Sequence, residues 1–293
     1  MAERDWLAAQ FEESRGHLRG VAYRMLGSLS EADDAVQESW LRLSRTDTAS
    51  VENLRGWLTT VVGRVCLDML RSRKSRREEP LEVPGSDATK AAAATPDPEC
   101  EAAMADAVGF ALLLVLDRLK PAERVAFVLH DLFDLPFEDI ARIAGRTPEA
   151  ARQLASRARR RVRGVTAVPK AEIAEQRALV DAFLAALRAG DAKTLVALLD
   201  PDFSVHADAV AHPGAVPEIH GAEAWAKEAV RSARGAKFAR PALVDGAVGI
   251  MVAPRGRLFR VLRLTFRNGK LFHMDVLGDP ESLSKLDLAV LSD

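Results

Sequence analysis

Residues 137–163 read FEDIARIAGRTPEAARQLASRARRRVR and predict two short helices joined by a tight turn. Apolar residues recur at helical spacing in the first helix, at Phe137, Ile140, Ala141 and Ala144. Gly145 can adopt the left-handed conformation that ends a helix. Thr147 is a candidate N-cap, and Pro148 suits the first position of the second helix, where its missing N–H is not needed.

The second helix has a small apolar face and a cationic face. Its inward stripe is expected to contain Ala151, Leu154, Ala155, Ala158 and Val162. Its outward face is expected to contain Arg152, Gln153, Ser156, Arg157 and Arg160. Between Arg142 and Arg163 there are eight arginines and one acid, Glu149. Arginine binds phosphates and the guanine edge bidentately, so the helix–turn–helix context favours DNA binding over a merely solvated basic helix end.

Composition and charge limit the classes of protein to which this chain can belong. The chain has 293 residues and a net charge of −1, so its basic charge is local rather than spread over the whole molecule. Cys66 and Cys100 form no CxxC or Cys/His cluster, which predicts no metal site and a reducing compartment. The charged N-terminus lacks a signal-peptide core, and the longest apolar run, residues 108–116, is about half a membrane span. We expect a cytoplasmic protein with no membrane partner.

An amphipathic helix is predicted to follow a first helix over residues 5–25. Ser30 is expected to cap it, after the break at residues 27–28. Its apolar face carries Ala32, Ala35, Val36, Ser39, Trp40 and Leu43, and the opposite face carries Asp33, Asp34, Gln37 and Glu38. That acidic face suits either ordinary solvated surface or a docking surface for a basic partner.

A third helix is predicted to begin near Asn53 and to end in a basic run over residues 71–77. Trp57 beside such a run suits single-stranded nucleic acid, through stacked bases and bound phosphates, although a tryptophan in this position is more commonly part of the core. The basic residues that would take part are Arg64, Arg71, Arg73 and Lys74.

The remaining organisation follows from changes in composition. Residues 1–78 form a first helical domain, and residues 79–104, rich in proline and acids, form a flexible linker. Residues 105–165 form a second helical domain that ends in the helix-turn-helix. Residues 170–293 open with helices and continue with strands, an α+β pattern in which Asn268-Gly269 predicts a two-residue hairpin turn.

The two basic helical modules, in the order in which they occur along the chain, resemble those of an extracytoplasmic-function (group 4) RNA polymerase sigma factor. The segment ADDAVQESWLRL, residues 32–43, resembles the region 2 helix that docks on the polymerase, which would make its acidic face the polymerase-binding surface. Residues 55–71 resemble the helix that opens the −10 element, and residues 122–163 resemble region 4, which reads the −35 element. The implied partners are core RNA polymerase and promoter DNA, with no cofactor and no catalytic residue.

The last third resembles a SnoaL-like cone domain, as in SigJ-type sigma factors. That group carries Asp-Gly-Gly-Gly-Arg and Asn-Pro-Asp-Lys-type motifs, and the corresponding stretches here, residues 245–249 and 278–281, read DGAVG and GDPE. The resemblance implies that this domain contacts the sigma domains and replaces a separate anti-sigma factor. The residues that could line a pocket for a small apolar ligand are His206, Asp208, Trp225, His273 and Asp275. The alternative is a DNA-binding regulator fused to a ligand-binding or isomerase/hydrolase-like enzyme domain.

Overall fold

The computed structural model describes residues 2–46, 53–78, 109–166, 168–211, 218–231, 233–254 and 257–291. The linker predicted over residues 79–104 lies outside these ranges. The chain divides into two compact units: Met1–Gly109 with Leu116–Arg159, and Phe110–Val115 with Arg160–Asp293.

Three long helices form the first part of unit 1. They are α1 (Ala2–Leu26), α2 (Leu29–Leu43) and α3 (Leu54–Glu78). Ser28, not Ser30, is the N-cap of α2, because its side-chain oxygen accepts a hydrogen bond from the amide of Glu31. The expected cap is therefore corrected by two residues. The predicted apolar face of α2 is confirmed, since Ala32, Ala35, Val36, Ser39 and Leu43 are all buried.

Shorter helices follow the linker. They are α4 (Phe110–Asp117), α5 (Pro121–Phe127), one π-helical turn (Val128–Leu132), α6 (Phe137–Ala144) and α7 (Pro148–Arg163). Gly145 has a φ of 65° and ends α6 in the left-handed conformation, as the sequence predicts.

Unit 1 is held together by one continuous set of helix contacts. Helices α1, α2 and α3 pack on one another, and α3 also packs against α5 and α6. The π-helical turn contacts α1. Helices α1, α2 and α3 precede the predicted linker in the sequence and α5 and α6 follow it, and all five lie in unit 1. Cys66 on α3 is fully buried, and this burial raises the pKa of its thiol to about 12.

Unit 2 has the predicted α+β architecture. It contains α8 (Lys170–Ala189), α9 (Ala192–Leu198), β1 (Leu199–Ala207), β2 (Glu218–His220), α10 (Ala222–Arg231), a 3₁₀ turn (Ala233–Phe238), β3 (Ala239–Val244), β4 (Ala247–Val252), β5 (Arg260–Arg267), β6 (Lys270–Leu277), α11 (Pro280–Lys285) and β7 (Leu288–Ala289). Asp191 caps α9 by accepting a hydrogen bond from the amide of Thr194 at 3.0 Å.

The strands form one mixed sheet in the order β2-β1-β6-β5-β4-β3-β7. The β1–β6 pair is parallel and the other pairs are antiparallel. One face of the sheet buries the core against the helices. This core includes Phe183, Leu195, Phe203, Ile250, Leu264 and Met274.

Two tight hairpin turns connect neighbouring strands. Asn268 and Gly269, between β5 and β6, have φ angles of 52° and 72°. Asp245 and Gly246, between β3 and β4, have φ angles of 51° and 82°. Paired positive φ angles match the twist of an antiparallel hairpin, so the predicted turn at Asn268-Gly269 is confirmed and a second turn of the same kind is added.

Candidate nucleic-acid interface

The helix-turn-helix is assembled from local signals. The hydroxyl of Thr147 accepts a hydrogen bond from the amide of Ala150 at 3.2 Å, which caps α7. The inward face of α7 includes three small residues, Ala151, Ala155 and Ala158, which are fully buried. Small residues let α7 lie close to its packing partners. As a result, the opposite face of α7 projects into solvent.

The outward face of α7 carries all five residues expected to contact DNA. Arg152, Gln153, Ser156, Arg157 and Arg160 are exposed. Nη2 of Arg152 lies 3.5 Å from Oε1 of Glu138, and its guanidinium sits 5.6 Å from the ring centroid of Phe137. Nη1 of Arg152 donates to Glu149 at 3.4 Å. Arg152 therefore lies within reach of one acid on α6 and one on its own helix.

A buried carboxylate orients the second arginine. Nε of Arg157 lies 3.6 Å from Oε1 of Glu123, a residue that is only 3% exposed. Oε2 of Glu123 also accepts a hydrogen bond from the amide of Lys120 at the start of α5. Arg157 is thus tied to the N-terminal turn of α5 while most of its side chain remains exposed.

The α3 residues that are expected to contact DNA divide into two groups. Trp57 is half-buried and Arg64 is exposed. Nη2 of Arg71 donates to the carbonyl of Ala144 at 3.4 Å, and Nη1 of Arg73 donates to the carbonyl of Leu26 at 3.1 Å. Arg71 and Arg73 therefore make contacts inside unit 1 in addition to any role on DNA. The side chain of Lys74 lies outside the described part of the structure.

The acidic face of α2 is open to solvent. Asp33, Asp34 and Gln37 are exposed, and Glu38 is half-buried. Arg19 pairs with Asp33 at 2.7 Å, and Arg42 pairs with Glu38 at 2.9 Å. Asp34 and Gln37 lie between these two ion pairs on the exposed part of the acidic face.

The five residues expected to share a pocket in unit 2 do not come together. Strand alternation places His206 on the sheet face opposite Phe203, which belongs to the core. His206 pairs in register with Asp275, so these two residues share the outer face. Trp225 packs on the inner face, 5.4 Å from the ring of Phe203. The expected pocket is therefore corrected: its members lie on opposite sides of one sheet.

The polar residues on the outer face form a hydrogen-bonded chain. Nδ1 of His273 lies 2.8 Å from the hydroxyl of Ser204, and its Nε2 lies 3.3 Å from Oδ1 of Asp275. Nδ1 of His206 and Nη2 of Arg263 approach the same carboxylate at 3.6 Å and 3.4 Å. This group lies on a strand surface rather than in an apolar cleft.

Asp208 has a structural role in the loop before α11. Its Oδ2 accepts hydrogen bonds from the amides of Gly278 and Asp279 at 2.7 Å and 2.9 Å. Its Oδ1 accepts a hydrogen bond from the amide of Ala211 at 2.6 Å. Burial acts to raise the pKa of Asp208, but these amide hydrogen bonds outweigh it and the pKa lies below its ordinary value. Asp208 is therefore held ionised, unlike a catalytic base in an apolar pocket.

Two findings apply to all the described ranges, one on metal binding and one on membrane-spanning helices. Across the described ranges, no group of three or more His, Cys, Asp or Glu residues could hold a metal ion. None of the helices searched in those same ranges combines the length and the apolar character needed to cross a membrane.

One long-range contact escaped the sequence reasoning. Arg124 on α5 is 4% exposed, and its Nη1 donates to the carbonyl of Met25 at the end of α1 at 2.9 Å. Its Nη2 donates to Asp117 at 3.0 Å. No local sequence pattern predicts this contact, because Arg124 and Met25 are 99 positions apart in the chain.

Comparison with known proteins agrees with this geometry. Residues 10–76 match Sigma-70 region 2, and residues 109–162 match Sigma-70, region 4. The probable ECF RNA polymerase sigma factor SigI of Mycobacterium tuberculosis is 34% identical over 292 residues, covering 98% of each chain. The ECF RNA polymerase sigma factor SigJ of Mycobacterium tuberculosis is 38% identical over 301 residues, covering 94% of this chain and 93% of its own.

A crystal structure of SigJ from Mycobacterium tuberculosis covers 94% of this chain and 98% of its own, with 34% identity and a TM-score of 0.46. Sigma factors are not enzymes; they bind core RNA polymerase and promoter DNA and direct transcription initiation. With a relative that is 34% identical along 98% of both chains, this chain belongs to the extracytoplasmic-function family of RNA polymerase sigma factors.

Proposed function

We propose that this sigma factor is controlled by its own C-terminal domain, residues 170–293, which takes the place of a separate anti-sigma factor. In this proposal, α2 binds core polymerase through its acidic face, α3 holds the opened −10 element, and α7 reads the −35 element. The C-terminal domain acts on α7. The sigma factor works in the cytoplasm, where its polymerase and promoters are.

The observation that carries the proposal is a hydrogen bond at the end of the recognition helix. The amide of Val290, just after β7, donates to the carbonyl of Val162 at 2.8 Å. Val162 lies in the last turn of α7, where carbonyl groups have no partner within the helix. A residue from the C-terminal end of the chain thus supplies a hydrogen bond that the helix itself cannot make.

Two glycines bring the chain after α7 close to the C-terminal sheet. A Cβ on Gly164 would lie 2.6 Å from Cβ of Ala289, which belongs to β7. A Cβ on Gly246, in the β3–β4 turn, would lie 2.8 Å from the carbonyl oxygen of Val165. Contacts this close fit only glycine, so neither Gly164 nor Gly246 has room for a side chain.

These contacts support control of DNA recognition by the C-terminal domain, because α7 is one continuous helix. Arg157 and Arg160 lie within two turns of Val162, and side chains on a regular helix keep fixed positions relative to its end. Constraining the end of α7 therefore constrains the direction in which its arginine face points. Base-edge contacts need that direction to be correct, whereas phosphate contacts tolerate more variation.

The same distinction between phosphate contacts and base contacts applies to DNA opening by α3. Arginines that contact phosphates position the helix, and the exposed −10 bases require stacking and hydrogen bonds to offset the loss of base stacking. Trp57 is half-buried, so part of this residue remains accessible to solvent. We therefore assign Trp57 and Arg64 to the opened strand, with Arg71, Arg73 and Lys74 on the flanking phosphates.

The test uses two hairpin turns of the same type. Gly246 and Gly269 both occupy the second position of a two-residue turn, with φ angles of 82° and 72°. Alanine at either position strains the turn equally, by about 1 kcal/mol. Only Gly246 faces Val165, since nothing lies within 4 Å of a Cβ on Gly269.

Mapping transcript starts after overexpression would define the promoter, and transcription with purified core polymerase would then be measured for both variants. Gly246→Ala is expected to change promoter-specific transcription several-fold, and Gly269→Ala is expected to leave it unchanged. Equal activity of wild type, Gly246→Ala and a truncation after residue 165 would exclude control by the C-terminal domain. Failure of the wild-type chain to bind core polymerase would contradict the sigma assignment itself.

A further inference from the structure

Basic side chains converge at one corner of unit 2, where α8 ends and β3 begins. Arg188 lies in the last turn of α8, and Arg240 is the second residue of β3. Nη2 of Arg188 and Nη1 of Arg240 donate to the same carbonyl oxygen, that of Ala239, at 2.8 Å and 2.9 Å. Nη1 of Arg240 also donates to the carbonyl of Lys237 at 2.8 Å. We call Arg188, Lys237 and Arg240 the basic corner.

Two acids on the adjoining helices each have a cation of their own. Oδ2 of Asp181, on α8, lies 3.8 Å from Nε of Arg177. Glu228, on α10, pairs with Arg231. The sequence from residue 229 to residue 244 contains four cations and no acid. The basic corner therefore carries an excess of positive charge.

The two guanidinium groups of the basic corner repel each other. Burial is the larger cause that lowers the pKa of Arg188, and the charge of Arg240 is the second; Asp181 acts in the opposite direction with a weaker influence. Arginine nevertheless stays protonated at neutral pH, so the repulsion persists in the folded protein. An anion bound to both groups would offset it, because an opposite charge favours the charged form of each.

Helix capping explains part of this arrangement. Nε of Arg188 donates to the carbonyl of Ala236 at 3.1 Å, and a cation at the C-terminal end of α8 suits the helix dipole. Lys237 is different: it is exposed, and its ammonium lies 4.8 Å from the ring centroid of its neighbour Phe238. A ring contact of this kind holds the lysine without reducing its charge. Its ammonium therefore remains available to an external anion.

Strand β3 connects the basic corner to the end of the recognition helix. Leu243 is three residues after Arg240, which is about 10 Å along a strand. Cδ1 of Leu243 would lie 3.5 Å from a Cβ on Gly164, the residue that follows α7. A helix seated in the major groove, which is about 12 Å wide, has phosphates on both sides. The basic corner is therefore within reach of the backbone of a duplex that α7 holds.

We propose that the basic corner binds phosphates of the promoter beside the −35 element and so forms a third DNA contact of this sigma factor. The inference rests on the proposed reading of the −35 element by α7, which brings the duplex to this unit. Guanidinium groups match the geometry of phosphate oxygens, and such contacts carry no sequence information. The basic corner therefore adds affinity without changing base preference. Because α7 already holds the same duplex, even a weak contact here adds to the total.

Three substitutions separate the charge of the basic corner from its structural contacts. Lys237→Gln removes the charge of an exposed side chain. Arg188→Gln removes a charge together with its hydrogen bonds, whereas Arg188→Lys keeps the charge. The control is Lys270→Gln, in the β5–β6 hairpin. Arg240 is level with Leu277 across the sheet, and Lys270 lies seven residues, or about 23 Å, from Leu277.

The full-length sigma factor is tested in complex with core polymerase on the promoter that transcript mapping defines. Salt titrations of promoter binding report the number of phosphate contacts. Lys237→Gln and Arg188→Gln are each expected to weaken binding about three- to tenfold at about 0.1 M salt and to lower the salt dependence by about one counterion. Arg188→Lys is expected to keep the wild-type salt dependence, and Lys270→Gln is expected to match wild type in both measurements.

Cross-linking locates the contact on the DNA. A photoactivatable aryl azide is attached to Lys237→Cys in a Cys100→Ser background, where Cys66 stays unlabelled because it is buried. This label is expected to cross-link to promoter DNA beside the −35 element. The same label on Lys270→Cys is expected to give no cross-link to DNA.

Two results would overturn the inference. One is a salt dependence that Lys237→Gln and Arg188→Gln leave unchanged, or that Lys270→Gln lowers equally. The other is cross-linking to polymerase instead of DNA, which would make an acidic protein surface the partner. If Arg188→Gln fails to fold, Lys237→Gln and the cross-link decide. Failure of the proposed function is distinguishable, because Gln153→Ala and Arg160→Ala on α7 would then also leave promoter binding unchanged.

Discussion

Nε2 of His17 lies 3.0 Å from Oγ1 of Thr59, and this contact joins α1 to α3. The hydroxyl of Thr59 donates its own proton to the carbonyl of Arg55 at 2.8 Å, so it accepts from His17. Nη2 of Arg55 lies 3.2 Å from Nδ1 of His17, which must therefore be the acceptor. His17 is held as the neutral tautomer with its proton on Nε2.

The stability of region 2 should consequently depend on pH through His17. Burial, followed by the charge of Arg55, lowers the pKa of His17 below its ordinary value of 6.5. The unfolded chain therefore takes up a proton first as the pH falls, so this stabilisation is complete above about pH 6.5 and is lost progressively below it. The protection factors of amides in α1 and α3, measured by hydrogen exchange from pH 5 to 8 and corrected for the intrinsic pH dependence of exchange, should fall at the acid end. His17→Gln should remove that part of the pH dependence, and an unchanged profile would contradict the assignment.

Substitutions on α7 should separate base reading from phosphate binding. Gln153→Ala is expected to weaken binding to the −35 element by about 1–3 kcal/mol and to relax the preference at one base pair. Arg160→Ala is expected to weaken binding to all sequences and to lower the salt dependence by about one counterion. Salt titrations on matched and mutated promoters measure both effects. Lys193→Ala, on exposed α9, is the control cation and should change neither.

The ion pair between Arg152 and Glu138 should compete with DNA. Both side chains are at least half exposed, and such pairs are worth about 0–1 kcal/mol. Glu138→Gln removes a negative charge beside the recognition helix, so promoter affinity should rise by up to about fivefold at low salt. Glu223→Gln, on α10, alters an exposed acid elsewhere and should have no effect. A drop in affinity for Glu138→Gln would mean that the pair orients Arg152 for its base.

Charge reversal on α2 should impair polymerase binding. Asp34 is exposed between the ion pairs of Asp33 and Glu38. Asp34→Lys is expected to weaken core binding about tenfold, with a marked effect on the association rate, because complementary charges steer the encounter. Glu13→Lys makes the same reversal on exposed α1 and serves as the control. Equal losses for the two variants would point to net charge rather than to a docking surface.

The cap of α7 offers a stability test that removes no DNA contact. Thr147→Ala deletes the oxygen that accepts the amide proton of Ala150 and should lower the free energy of unfolding by about 1 kcal/mol. Thr147→Ser keeps that oxygen and should retain most of the stability. Urea denaturation followed by circular dichroism compares the two variants.

The accuracy of the sequence reasoning depended on how local each signal was. The cap at Thr147, the left-handed Gly145 and the hairpin at Asn268-Gly269 each depend on two to four neighbouring residues, and all were predicted. The cap of α2 was misplaced by two residues, because Ser28 and Ser30 are chemically equivalent candidates. Only the hydrogen bond to Glu31 distinguishes them.

Errors were larger wherever distant segments meet. The start of β1 at Leu199 depends on a distant segment, because Leu199 pairs with Leu271 on β6. Residue type alone groups His206 with Trp225, yet strand alternation places them on opposite faces of one sheet. Gly63 and Leu129 lie close together although the linker separates them in the sequence, since a Cβ on Gly63 would lie 3.1 Å from Cδ1 of Leu129. No periodicity along the chain predicts that proximity.

Burial of Cys66 has a practical consequence. Thiolate is the species that attacks alkylating reagents and peroxides, and a thiol with a pKa of about 12 contains almost none at neutral pH. While α3 is folded, the protein is therefore protected from oxidation at this position. When α3 unfolds, the same sulfur becomes reactive. The rate at which it is alkylated therefore measures how often this part of the sigma factor unfolds.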